Sequence, residues 1–140
     1  MQVKVSAFSI EIDSTVIDVS RLADHLVMQS GQEFEANKYF YFDNDSFPGF
    51  CVGVVITVKD QRSYCTLDVG ANGSTLIRVN GLDENNQIMD FNFFAFNIES
   101  GVGLYQHYHQ SAALSCLERK LKHETKLCKA SLIEFARLRR

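Results

Sequence analysis

The chain has 140 residues, 46% of them hydrophobic and 22% charged, with a net charge of −3; this is the balance of one globular domain with a single core, and it excludes a disordered chain or two ordinary domains. No run approaches the roughly 20 apolar residues that a membrane-spanning helix needs, and the opening MQVKVSAFSIEID interleaves acids where a signal peptide needs an unbroken apolar stretch. A cytoplasmic protein without a membrane partner is therefore expected, and eleven Phe and five Tyr with no Trp and one Pro favour sheet over a helical bundle.

Val3, Val5, Ala7 or Phe8, Ile10 and Ile12 recur with a period near two, predicting a half-buried first strand. Asp13 or Ser14 then caps a predicted helix over Thr15 to Gln29, with Val16, Val19, Leu22, Ala23, Leu26 and Val27 at helical spacing and Ser30-Gly31 as its stop. Lys38 to Phe42 is an aromatic strand that ends in the turn-forming stretch from Asp43 to Gly49. Phe50 to Lys59 follows as a β-branched strand, with Tyr64 to Val69 expected as its hairpin partner. Ser74 to Val79 reads as another strand, and Asn80 to Asn86 as a polar loop. Ile88 to Ile98 is apolar on both faces, as a central strand covered on each side requires. Glu99 to Gly103 makes a turn, and Leu104 to His109 returns as a strand.

From Ser111 the period becomes helical, with Leu114, Leu117, Leu121, Cys128, Leu132 and Phe135 on one stripe. Either one helix runs to about Leu138 or two meet near His123 to Thr125; the charges clustered there favour two. With no βαβ repeat, these elements define an α+β fold, mainly an antiparallel sheet of about five to seven strands with one N-terminal helix and one or two C-terminal helices. Residues 1–110 form the sheet domain with its helix, and residues 111–140 a basic amphipathic helical segment packed on it within the same domain.

Charge is unevenly spread. Residues 1–110 carry six Lys/Arg against fourteen Asp/Glu, whereas residues 111–140 carry eight against three. Such asymmetry fits a solvated helix face, or a nucleic-acid contact through Arg119, Lys120, Lys122, Lys126, Lys129, Arg137, Arg139 and Arg140. The terminal Leu138-Arg139-Arg140 breaks off in a helical pattern without a stop signal, which predicts a fragment of a longer protein or a docking piece.

Three constellations could carry chemistry. On a strand, Tyr105, His107 and His109 share one face, and two imidazoles there can ligate a metal or exchange protons. A third ligand is needed, and no spacing selects among Asp90, Glu99 and His123. Cys65 or Cys116 with either His would make a nucleophile pair, although the four cysteines, spaced far apart and without a CxxC pair, read as reduced thiols among apolar neighbours. Tyr39, Phe40, Tyr41 and Phe42 could stack on bases, but only Lys38 supplies a nearby cation, so the row reads as core with one face as a protein interface. Gly101-Val-Gly103 lacks the context of a phosphate-binding loop, and no cofactor is expected.

The N-terminal strand and helix, the aromatic strand with its acidic turn, and the segment FNFFAFNIESGVGLYQHYHQS together resemble the N-terminal domains of uncharacterised bacterial phage-defence proteins, over about residues 1–120. The resemblance implies a prokaryotic cytosolic protein whose sheet domain serves assembly or sensing. The leading expectation is accordingly a non-catalytic domain that binds a protein partner or a copy of itself, with Leu121, Leu132 and Phe135 on its contact surface. Nucleic-acid binding through the basic segment and a small metal-dependent hydrolase centred on His107 and His109 are the alternatives.

Overall fold

The computed structural model of the chain describes residues 2–12, 17–59, 65–79, 89–108, 111–124 and 130–132, and every count below is of these. In chain order they form β1 (Val3–Ile12), α1 (Val19–Met28), β2 (Lys38–Asp43), β3 (Phe50–Val58), β4 (Cys65–Val69), β5 (Thr75–Val79), β6 (Met89–Asn97), β7 (Val102–Tyr108), α2 (Leu114–Glu124) and β8 (Ala130–Leu132). The fold is α+β. An antiparallel sheet runs β2-β3-β6-β7-β1, the short β8 adds to the end of β1, and β4 and β5 pair with each other alone.

Strand alternation separates two faces. Phe8 and Ile10 of β1, Phe40 and Phe42 of β2, Cys51 and Val55 of β3, Phe94 and Phe96 of β6 and Tyr105 of β7 turn inward as one buried cluster with Val19, Leu22, Ala23 and Leu26 of α1 and Cys116, Leu117 and Leu121 of α2. Both helices thus pack on the same side of the sheet. Aromatic rings tile this layer: Phe42 meets Phe94 edge to face at 5.4 Å between centroids, and Phe94 stacks on Tyr105 at 6.3 Å. Two inward glycines make the room. A Cβ on Gly53 would lie 2.6 Å from Phe94 Cε2, and one on Gly103 would lie 2.7 Å from Phe96 Cβ.

Asn92 is the one fully buried uncharged polar side chain, at 0% exposure, and it ties β6 to the β7–α2 connection. Its amide donates to the Gln106 carbonyl at 3.1 Å and to Ser111 Oγ at 2.8 Å, while its oxygen accepts from Ala112 N–H at 3.1 Å. Tyr105 Oη donates to the Ala112 carbonyl at 2.9 Å, so the strand-to-helix crossing is held from both sides.

Four expectations need correction. α1 begins at Val19, capped by the Asp18 carboxylate accepting from Arg21 N–H at 2.8 Å, four residues later than an Asp13 or Ser14 cap would place it; the better-placed cap prevails. Residues 13–16 themselves lie outside the described residues. β4 is the hairpin partner of β5, because β3 is already flanked by β2 and by the nine-residue register of β6, with its Phe91–Ile56 and Phe93–Val54 cross-strand pairs. Residues 130–132, expected in a helix, form β8 against Ile10 to Ile12, where tertiary pairing overrides a helical period. Finally, β6 is central but covered on one face only: Phe91 and Phe93 are exposed on the other. The joining question for the C-terminal helices falls on residues 125–129, outside the described ones.

Candidate interaction face of the sheet

The odd-numbered residues of β6 and their neighbours build a second apolar layer on the side away from the helices. Across the sheet, Tyr41 pairs Val54, Val54 pairs Phe93, Val52 pairs Ala95, Ala95 pairs Leu104, and Leu104 pairs Ala7, with Val5 one step along β1. Phe93 is 56% exposed and Leu104 50%, and Val5, Tyr41, Phe50, Phe91 and Val102 are exposed with them. No Asp, Glu, Lys or Arg occupies the outward positions of β3, β6 or β7, nor of β1 from Val3 to Ser9. This face carries a groove of about 650 Å³, lined by Val5, Tyr41, Val52, Val54, Phe93, Ala95 and Leu104, with Phe47 from the β2–β3 turn on its wall. Ser30 and Asp43 bring polar groups to it at the β2 side, and Gln106 of β7 stands within it opposite Val5.

The edge of the sheet beside this groove is already satisfied. Gly31 N–H donates to the Phe40 carbonyl at 2.8 Å and Phe34 N–H to the Lys38 carbonyl at 2.8 Å, and Glu33 bridges Tyr39, so the connection from α1 runs along β2 as a cover. Gly31 takes a positive φ of 83° to make that turn, and Tyr41 Cε1 lies 3.3 Å from where its Cβ would stand. The Asp43 carboxylate at the groove margin accepts from Ser46 Oγ and from Asp45 and Ser46 N–H; the hydroxyl bond first, then the backbone donors, hold it below the usual aspartate range.

The residues singled out from the sequence lie elsewhere. Leu121 is in the core between α2 and the sheet and presents no contact surface; nothing is described of the Leu132 side chain, and Phe135 lies outside the described residues. Arg119 forks onto Glu35, with Nε 2.5 Å from Oε1 and Nη2 3.2 Å from Oε2; Lys122 pairs Glu118 at 2.7 Å; and Lys120 is buried beside Glu124. Lys126, Lys129, Arg137, Arg139 and Arg140 lie outside the described residues. His107 sits opposite Lys4 on the helix side of β7, and His109 is outside the described residues. Of the third-ligand candidates, Asp90 pairs Lys59 at 2.7 Å and His123 packs on the Phe34 ring; no cluster of three His, Cys, Asp or Glu among the described residues is placed to hold a metal ion. Cys116 is buried, and burial first of all pushes its thiol up, away from the thiolate a nucleophile needs. Among the described residues no helix is long and apolar enough to cross a membrane.

Comparison with protein families, with curated proteins and with solved structures finds no match.

Proposed function

We propose that the chain is a non-catalytic protein-interaction or assembly domain whose contact surface is the outward face of the sheet. The carrying observation is that face itself: Val5, Tyr41, Phe91, Phe93, Val102 and Leu104 form a contiguous, charge-free apolar layer in solvent. An antiparallel sheet with one free side normally turns polar residues to water, so a sheet that is apolar on both sides is built for a second cover. The helices cover the first. The resemblance of residues 1–120 to N-terminal domains of phage-defence proteins supports the same reading, in a prokaryotic cytosolic setting. Nucleic-acid binding draws less support, because Arg119, Lys120 and Lys122 are each paired with a carboxylate of the same domain. A hydrolase reading finds no assembled ligand set among the described residues, and burial raises the Cys116 thiol away from its nucleophilic form.

Hydroxyl-radical footprinting tests the reading. Phe91, Phe93 and Leu104 of dilute protein are expected to be oxidised far faster than the buried Phe40 and Phe96. Protection of the first three in a chain that sediments as a monomer refutes an open contact face.

A further inference from the structure

Building on that reading of the face, we infer that its occupant is a second copy of this chain, the two sheets packing face to face across a two-fold axis as a β-sandwich. Area is the first argument. With the fractional exposures of its apolar residues and ordinary side-chain areas, the face offers on the order of 800 Å². That is above the roughly 300–600 Å² of the largest patch on a typical monomer, and of the same size as the contribution of about 800 Å² that each partner makes to a standard-size stable interface.

Self-complementarity is the second. A two-fold interface sets every residue against the same surface on its partner, so a charge near its centre meets a like charge. The outward positions of β3, β6 and β7 hold none. The relief of the face matches itself as well. Phe93 and Leu104, both half-exposed, flank the small Ala95 on the lining of the groove of about 650 Å³. A two-fold axis passing beside Phe93 would set the Phe93 ring of each copy against the small Ala95 of the other. Two such sheets pack at about 30° and about 10 Å, the separation at which side chains of this size interdigitate. The third argument is the β2 edge, closed by the Gly31 and Phe34 hydrogen bonds, which leaves the face rather than that edge for pairing.

The test combines sedimentation velocity with footprinting on the full chain, at about 100 µM and at about 0.1 µM, a range that brackets an ordinary micromolar association. The proposal expects a particle of twice the 15.9 kDa chain mass at the higher concentration, with Phe93 and Leu104 protected in it. Phe93→Asp should weaken association by about 100-fold or more, as removal of a central aromatic anchor does, while leaving the circular-dichroism spectrum unchanged. If Phe93→Asp fails to fold, the concentration-dependent footprint of the wild-type chain decides the question without it. A monomer at about 100 µM with Phe93 and Leu104 oxidised overturns the second copy and leaves the contact face for a different protein. A monomer with both residues protected at every concentration overturns the proposal and the function reading together. A dimer in which Phe93 stays oxidised and Phe93→Asp changes nothing places the contact elsewhere and overturns the proposal alone.

Discussion

Lys120 Nζ lies 2.7 Å from Glu124 Oε1, one turn further along α2, with the lysine 2% exposed and its ammonium 5.2 Å from the Phe34 ring centroid and 5.9 Å from that of Phe40. Glu124 also receives His25 Nε2 at 3.0 Å, so one carboxylate joins α2 to α1. A buried cation with a single carboxylate and two ring faces is a costly arrangement held by its partners.

Removing one partner should therefore be worse than removing the charge. Glu124→Ala leaves the Lys120 ammonium buried without its counter-ion and is expected to cost about 3 kcal/mol. The double variant Lys120→Met/Glu124→Gln keeps the apolar stem between Phe34 and Phe40 and removes both desolvated charges, and should change stability by less than about 1 kcal/mol in either direction. Urea unfolding of the two variants measures the difference. Equal losses would mean that the pair, and not the unpaired ammonium, carries the energy.

Acid sensitivity follows from the same carboxylate and two others. Burial alone would raise the Glu124 carboxyl, but the Lys120 and His25 hydrogen bonds outweigh it and hold it below its ordinary value. The Arg119 guanidinium, ahead of an opposing effect of burial, lowers Glu35, and the Ser46 hydroxyl lowers Asp43. With folded values depressed below unfolded ones, the unfolded chain takes up protons first as pH falls. The stability these groups contribute is complete above the ordinary carboxylate range of about 4 and is lost progressively as pH drops below about 5. Tm should be flat in their share from pH 6 to 8 and should fall steeply below about pH 5. Glu124→Gln should make that acid slope shallower, and added salt should trim the solvent-exposed Arg119–Glu35 share first.

Much of this was legible in the sequence, and the misses have physical causes. Period-two spacing located β1, and the unbroken aromatic row from Tyr39 to Phe42 read as core with one face outward, which the pleat then resolves into Phe40 and Phe42 inside and Tyr41 outside. The apolar pattern on both faces of β6 was equally visible, but composition cannot say what covers the second face; Phe93 and Leu104 are exposed there among the described residues. Leu121 stands on a helical stripe that looks the same whether it meets a partner or its own sheet, and here it meets the sheet. Arg119 reads as part of a basic patch because its pairing with Glu35 across 84 positions in the sequence leaves no local trace, whereas Lys122 pairs with Glu118 one turn away on the same helix. β8 was unreadable, since its pairing with Ile10 to Ile12 is set by the far end of the chain.

Gly53 should be intolerant of even a methyl group. It faces Phe94 across the β3–β6 ladder, and a Cβ would meet the ring and stand 2.6 Å from the Tyr41 carbonyl oxygen. The backbone cannot yield there, because Phe42 pairs with Gly53 on the other side. Gly53→Ala is expected to cost about 1–3 kcal/mol by overpacking, whereas Gly49→Ala, with nothing within 4 Å of its Cβ, should pay chiefly for its positive φ of 84°. Thermal melts of the two variants separate crowding from backbone strain. A Gly53→Ala protein as stable as the parent would show that Phe94 has room to turn.

The Cys51 thiol should be inert in the native state. It faces Phe96 on the inner side of β3, and burial, reinforced by the Asp43 charge, pushes it up to about 12. Thiolate is the reactive form, so at pH 8 its thiolate fraction is lowered roughly 1,000-fold relative to a free cysteine, before any steric protection is counted. Cys116, raised in the same direction by burial, should share this resistance. Site-resolved alkylation by mass spectrometry should leave both residues unmodified in folded protein and label both rapidly in urea. Rapid native labelling of Cys116 would instead reveal an opening between α2 and the sheet, and would restore it as a candidate nucleophile.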